Sequence, residues 1–173
     1  MKTKINSGIQ KKIIEEYGNK LRVRVCGLCI ESGNVLLVNH HSLNKGGDFW
    51  GPPGGGMDFG LSAEENLKRE FYEETGLTIE IEKFLFVHEY LSPPLHAIEL
   101  IFKVRRLKGR LTVGYDPEMA KDEQIIKNVK FMDFSKLKEL DESNVHQLFL
   151  VVKNLNDIEK LKGYVLWKND EIS

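Results

Sequence analysis

Leu21, Val23 and Val25 alternate with Arg22, Arg24 and Cys26, a period of two that predicts a strand, and the apolar run continues to Ile30. Val35 to Val38 supplies a second strand, so a hairpin is expected across Gly33-Asn34. Ahead of it, Ile9 to Tyr17 reads as a short amphipathic helix, part of an N-terminal extension over about residues 1–20. Farther along the period changes to about four: Ala63, Leu67 and Phe71 mark the apolar stripe of a helix. Ser62 and Glu65 form a capping box and Gly76 is a left-handed terminator, so this helix spans about 63–75. Thr78 to Tyr90 reads as a strand, as do the alternating Ile98, Leu100, Phe102 and Val104, and a second hairpin is expected to turn near Lys108-Gly109. Asn128 to Phe134 gives a late strand, and Val145, Leu148, Val151, Val152 and Leu155 recur at helical spacing over Asn144 to Leu155. Strands on both sides of a helix, with another helix at the end, predict an α/β/α layered fold. The chain has 173 residues, enough for one substantial core, so a single domain over 1–173 is expected.

The polar side of the central helix carries the chemistry. Glu70, Glu73 and Glu74 stand at i, i+3 and i+4 and therefore share one face. They lie toward the carbonyl end, where the helix dipole disfavours each anion by roughly 0.3 to 1 kcal/mol, and Arg69 offsets only part of this. A hard cation such as Mg2+ or Mn2+, bound through oxygen, resolves the conflict. Just upstream, Pro52 and Pro53 fix the chain and Gly54, Gly55 and Gly56 permit close backbone approach, a turn suited to phosphate oxygens.

From Gly55 to Leu77 the chain resembles the Nudix box: a glycine, then Arg-Glu-hydrophobic-x-Glu-Glu-x-Gly-hydrophobic, carried by Gly55, Arg69, Glu70, Phe71, Glu73, Glu74, Gly76 and Leu77. Leu61 departs from it, standing where the family has its first glutamate. The resemblance implies a Nudix-type α/β/α sandwich with a mixed sheet. It also implies hydrolysis of a diphosphate linkage, with Mg2+ or Mn2+ held by Glu70, Glu73 and Glu74. Arg69 then orients the carboxylates, and a further acid, Glu123 first and Glu118 second, comes from the loop before the late strand. Glu70 or the loop glutamate takes the proton of the attacking water.

What the diphosphate carries is less sharply written. Gly54, Gly55 and Gly56 would hold the phosphates and Trp50 would stack on a base or sugar. Pro93 stands at about the distance beyond the box that the family associates with ADP-ribose hydrolases, so ADP-ribose or a nucleotide sugar is favoured. The other readings are a nucleotide-binding module without turnover, motivated by Leu61, and an isoprenoid diphosphate isomerase, which would need a cysteine from Cys26 or Cys29. The resemblance also implies a homodimer.

Charge and cysteine usage narrow the classes. Lys and Arg number 25 against 26 Asp and Glu, a net charge of −1, so no global basic field addresses polymeric nucleic acid. The first ten residues lack the apolar run of a signal peptide and the VLLV run is far too short to span a bilayer, so a soluble, cytoplasmic protein acting on a small nucleoside diphosphate derivative is expected. Cys26 and Cys29 form C-x-x-C inside a strand, where residues three apart face opposite ways, which argues against zinc or redox chemistry. His40, His41, His88 and His96 carry no assigned role.

Overall fold

The computed structural model describes residues 11, 14–41, 48–115 and 124–168, apart from the side chains of 167 and 168. Residues 14–17 are helical, within the expected first helix; of the remainder of that span only Lys11 is described. β1 (Lys20–Glu31) then turns into β2 (Asn34–His41). The turn residues are Ser32 and Gly33, not Gly33-Asn34, because Asn34 already pairs with Glu31. Both have positive φ, 50° and 79°, the turn whose twist matches that of the strands.

There follow β3 (Asp48–Gly51), β4 (Gly54–Gly56), α1 (Ala63–Thr75), β5 (Leu77–Ser92), β6 (Leu95–Gly109), β7 (Ile126–Asp133), α2 (Phe134–Lys138), α3 (Leu155–Ile158) and β8 (Tyr164–Lys168). The strands form one eight-stranded sheet in the order β3-β2-β1-β6-β5-β8, with β4 on β1 and β7 on β2. β1 with β6 and β5 with β8 run parallel and the other pairs antiparallel, so the fold is the expected α/β type with a mixed sheet.

Side-chain alternation along β1 divides the core. Val25 and Cys29 join Leu67 and Phe71 beneath α1, whereas Cys26 and Leu28 join Leu148, Phe149 and Ile158 on the other side. The two cysteines are therefore splayed across the sheet, both buried and both free. Gly27 lets α1 settle on β1, since a Cβ there would lie 2.9 Å from the Phe71 ring. Burying Phe71 completely contributes about 1.5 to 3 kcal/mol.

Two further expectations do not hold. The β5–β6 hairpin turns at Pro93-Pro94, in cis, and Lys108-Gly109 instead ends β6 opposite Thr78 and Leu77. Two consecutive prolines cannot continue a hydrogen-bonded ladder, so they decide the turn. Nor is Asn144 to Leu155 a helix: it breaks into 3-10 turns at Glu142–Asn144 and Gln147–Phe149 before α3. Asp141, His146 and Asn154 each accept from a backbone N–H two or three residues on, so each starts a fresh turn and interrupts the helical period.

Candidate active site

Both ends of α1 are fixed as the sequence requires. Ser62 Oγ accepts from Glu65 N at 3.2 Å, Glu65 Oε2 accepts from Ser62 N at 2.9 Å, and Gly76, at φ 70°, returns its N–H to Tyr72 O at 2.8 Å. The last carbonyls are met by a strap over residues 110–115: Thr112 N donates to Thr75 O at 3.0 Å, Gly114 N to Glu74 O at 3.0 Å and Tyr115 N to Glu73 O at 3.3 Å. Position 114 admits only glycine there, since a Cβ would fall 1.8 Å from Glu73 O.

The three glutamates converge on β4, but in different states. Gly54–Gly56 is a short strand on β1 rather than a turn, paired Gly55 to Val25. Glu74 is buried: its Oε2 accepts the Gly54 N–H at 2.8 Å and its Oε1 faces His40 Nε2 at 3.1 Å. Glu70 lies directly over Gly55, where a Cβ would meet its carboxylate atoms at 2.3 to 2.5 Å. Arg69 reaches Glu70 Oε1 at 3.0 Å, Glu73 Oε2 at 3.1 Å and Asp58 Oδ2 at 3.0 Å, so one guanidinium serves three acids.

These surroundings displace the Glu70 carboxyl. Burial pushes its carboxyl up to about 7; Arg69 pulls it back, while Glu74 and Glu73 add to the rise. The donor set is all oxygen and carries excess negative charge, which suits a hard divalent cation; Glu70, Glu73 and Glu74 are the residues that could hold one.

Leu61 is 40% exposed, and the loop carboxylate that reaches Arg69 is Asp58, three residues earlier. Sequence reading missed both Asp58 and His40. His40 had a signal: Leu36, Val38 and His40 occupy alternate positions of β2, and the first two lie in the apolar cluster beneath α1. Trp50 is not brought to the glutamates. Its ring packs against the Cys26 and Leu28 cluster with Lys130 Nζ 4.5 Å from its centroid. Glu118 and Glu123 lie outside the described residues.

A second polar cluster lies on the other face of the sheet. His88, Glu99 and His146 bring nitrogen and oxygen donors within 4.8 Å of one another, a spacing compatible with a cation. The hydrogen bonds give it a different character. His146 Nδ1 accepts the Leu148 N–H at 3.3 Å, so the ring proton of the neutral form is on Nε2, which donates to Glu99 Oε2 at 2.9 Å. His88 Nδ1 lies 2.8 Å from the same oxygen and Arg24 Nε 3.3 Å from Oε1. Burial alone would raise the Glu99 carboxyl; His146, His88 and Arg24 outweigh it and hold the group well below the usual carboxylate range. Arg24 Nη2 also reaches Gly54 O at 3.4 Å, so Gly54 is tied through its N–H to Glu74 and through its carbonyl to this network.

A mixed sheet with a carboxylate-bearing helix against a three-glycine strand is the arrangement that the Nudix resemblance implies, and comparison with known proteins bears out the family. The model of the NUDIX domain family matches residues 19–151, and the chain belongs to the Nudix hydrolases. It is a Nudix diphosphohydrolase. An ADP-ribose pyrophosphatase of Methanocaldococcus jannaschii is 28% identical over 166 residues, covering 93% of this chain and 84% of that protein. An 8-oxo-dGTP diphosphatase of Proteus vulgaris is 28% identical over 93 residues, 54% of this chain and 83% of that one. Among solved structures, a NUDIX hydrolase from Nitrosomonas europaea superposes with a TM-score of 0.62 at 17% identity, covering 76% of this chain and 84% of that chain.

Proposed function

We propose that this chain hydrolyses the diphosphate linkage of a nucleoside diphosphate joined to a second group, with ADP-ribose or a nucleotide sugar as the favoured substrate and Mg2+ or Mn2+ as cofactor. The observation that carries the reading is the placement of Glu70 over Gly55 with one guanidinium shared among three acids. The relative matching 93% of the chain acts on ADP-ribose by its name, whereas the one named for 8-oxo-dGTP matches 54%, which favours the first substrate class.

Glu70, Glu73 and Glu74 hold the cation in this reading. When bound, it neutralises the diphosphate and acidifies a water for in-line attack on phosphorus. Glu70 or the loop glutamate is the proposed acceptor of the water's proton. Arg69 bridges Glu70 and Glu73 and so orients the two carboxylates relative to each other. Gly54, Gly55 and Gly56 are the proposed phosphate-holding residues; Gly54 and Gly55 also let the strand lie close to β1 and to the Glu70 carboxylate. Glu123, and after it Glu118, remains the proposed loop acid. Supporting this, the described flanks of their loop are tied to the site, Tyr115 N to Glu73 O at 3.3 Å and Ile125 O to His41 N at 2.7 Å. Trp50 keeps only a bordering role, since its ring is engaged in the core.

The proposal extends to the whole chain as one domain over 1–173, working in the cytoplasm as a homodimer. No helix among the described residues is long and apolar enough to cross a membrane. The deciding experiment is a panel of ADP-ribose, nucleotide sugars, dinucleoside polyphosphates and nucleoside triphosphates, with Mg2+ or Mn2+ and with chelator, read by mass spectrometry. AMP and ribose 5-phosphate released from ADP-ribose only when metal is present is the expected result. Nucleotide binding with no phosphorylated product from any compound would leave a binding module instead.

A further inference from the structure

We infer that His40 is a positioning residue for the metal site. Its Nε2–H fixes the Glu74 carboxylate in the orientation that a cation meets, so the site's affinity for metal depends on a β2 histidine outside the box. The inference rests on reading Glu74 as a metal ligand.

A carboxylate accepts and never donates when ionised, so the proton of the His40–Glu74 contact is on His40 Nε2, 3.1 Å from Glu74 Oε1. The other oxygen takes the Gly54 N–H at 2.8 Å. Two donors from two strands, β2 and β4, therefore fix both ends of the carboxylate and so the plane in which it lies. Each oxygen retains a lone pair, and those pairs are what a cation would use. Arg69 cannot do the same work here, because its contacts go to Glu70, Glu73, Asp58 and Asn66. Without His40, Glu74 keeps a donor on only one oxygen and its terminal torsion is released.

Burial argues that the histidine is not there for packing. Leu36 and Val38 fill the preceding positions on the same face of β2 and are fully buried. His40 continues that row at 13% side-chain exposure, yet its Nδ1 is buried with no hydrogen-bond partner among the described residues. A leucine would continue the apolar row equally well, so what the histidine adds at this position is the contact of its ring nitrogen with Glu74. Partners that hold ligating side chains in place are worth 10- to 100-fold in metal affinity in comparable sites.

The test uses His40→Leu, His40→Gln, His40→Asn and Glu74→Gln, each titrated with Mn2+ and followed by the electron paramagnetic resonance of the free ion, alongside thermal unfolding. His40→Leu is expected to weaken Mn2+ binding about 10- to 100-fold without lowering the unfolding midpoint. His40→Gln, whose amide nitrogen matches the reach of Nε2, should recover most of that affinity; His40→Asn, one bond shorter, should not. The Mn2+ concentration giving half-maximal turnover should rise more than kcat falls. Wild-type Mn2+ affinity in His40→Leu beside weakened binding in Glu74→Gln overturns the role of His40 and leaves the site standing. Wild-type affinity in Glu74→Gln removes the ligand reading itself, and this inference with it. Should His40→Leu not fold, equal affinities of the Gln and Asn variants refute the proposal.

Discussion

Replacing Glu70 by Gln isolates the electrostatic tension of the site in a way that needs no substrate. In the metal-free protein the Glu70 carboxyl is raised from 4.5 to about 7, chiefly by burial. A raised carboxyl contributes stability that is complete below pH 4.5 and lost as pH climbs through 7, because the folded state resists giving up the proton. The difference of about 2.5 pH units corresponds to about 3 kcal/mol at 1.36 kcal/mol per unit, and the side chain is 17% exposed, so solvent screening removes little of it. Glutamine keeps the shape and stays neutral. In chelator, Glu70→Gln should therefore gain about 3 kcal/mol relative to wild type between pH 4.5 and pH 8, a shift of roughly 6 to 12 °C in unfolding midpoint for a protein of this size. Chemical denaturation of both proteins at half-unit steps measures it. Added Mg2+ at pH 8 should reverse the order by stabilising wild type more. A wild-type-to-variant difference that stays flat across this range would show that Glu70 ionises as an ordinary surface acid, and the argument for a cation-hungry site would lose its main support.

Other perturbations address neighbouring parts. Glu74→Gln should fold but lose most Mg2+-dependent turnover of ADP-ribose; activity equal to wild type in a steady-state assay would exclude Glu74 from the machinery. Gly55→Ala forces a Cβ to within 2.5 Å of the Glu70 carboxylate, so kcat should fall at least 100-fold while circular dichroism stays native; an active alanine variant would mean the helix can shift away freely. Glu99→Gln removes the charge that Arg24, His88 and His146 surround and should cost about 3 to 5 kcal/mol in urea denaturation, since Arg24 is left uncompensated. Glu99 is depressed in the folded state, so its contribution is present above pH 4.5 and lost as pH falls toward its folded value; a wild-type-like acid unfolding curve for this variant would contradict the network.

What the chain discloses unaided follows the reach of each interaction. α1 was readable to the residue because its limits are set locally, by Ser62, Glu65 and Gly76. The strands were legible where alternation is strict, as in β1, and the opposed cysteines followed from it. The Asn144 to Leu155 segment misled because its apolar spacing is helical while side-chain caps restart the backbone, a contest that periodicity does not register. β8 was missed because its place depends on parallel pairing with β5 from far along the chain. In the site, the glutamates were evident from i, i+3, i+4 geometry. Their inequality was not, since it comes from β2, β4 and the Asp58 loop meeting the helix in space: Glu74 enclosed, Glu70 over Gly55, Glu73 on Arg69. Trp50 illustrates the converse, an aromatic near the glycines in sequence whose ring serves the opposite side of the sheet.

Gly114 has a consequence for anyone redesigning this enzyme's selectivity. Because residues 114 and 115 are stitched to the peptide oxygens of Glu74 and Glu73, that seam and the acid-bearing end of the helix are coupled through the backbone. Any graft that loses that pair of amides will disturb the backbone of Glu73 and Glu74, and even a methyl group at position 114 would lever the strap off the helix. Grafts should accordingly begin after Tyr115, leaving the stitch with the scaffold.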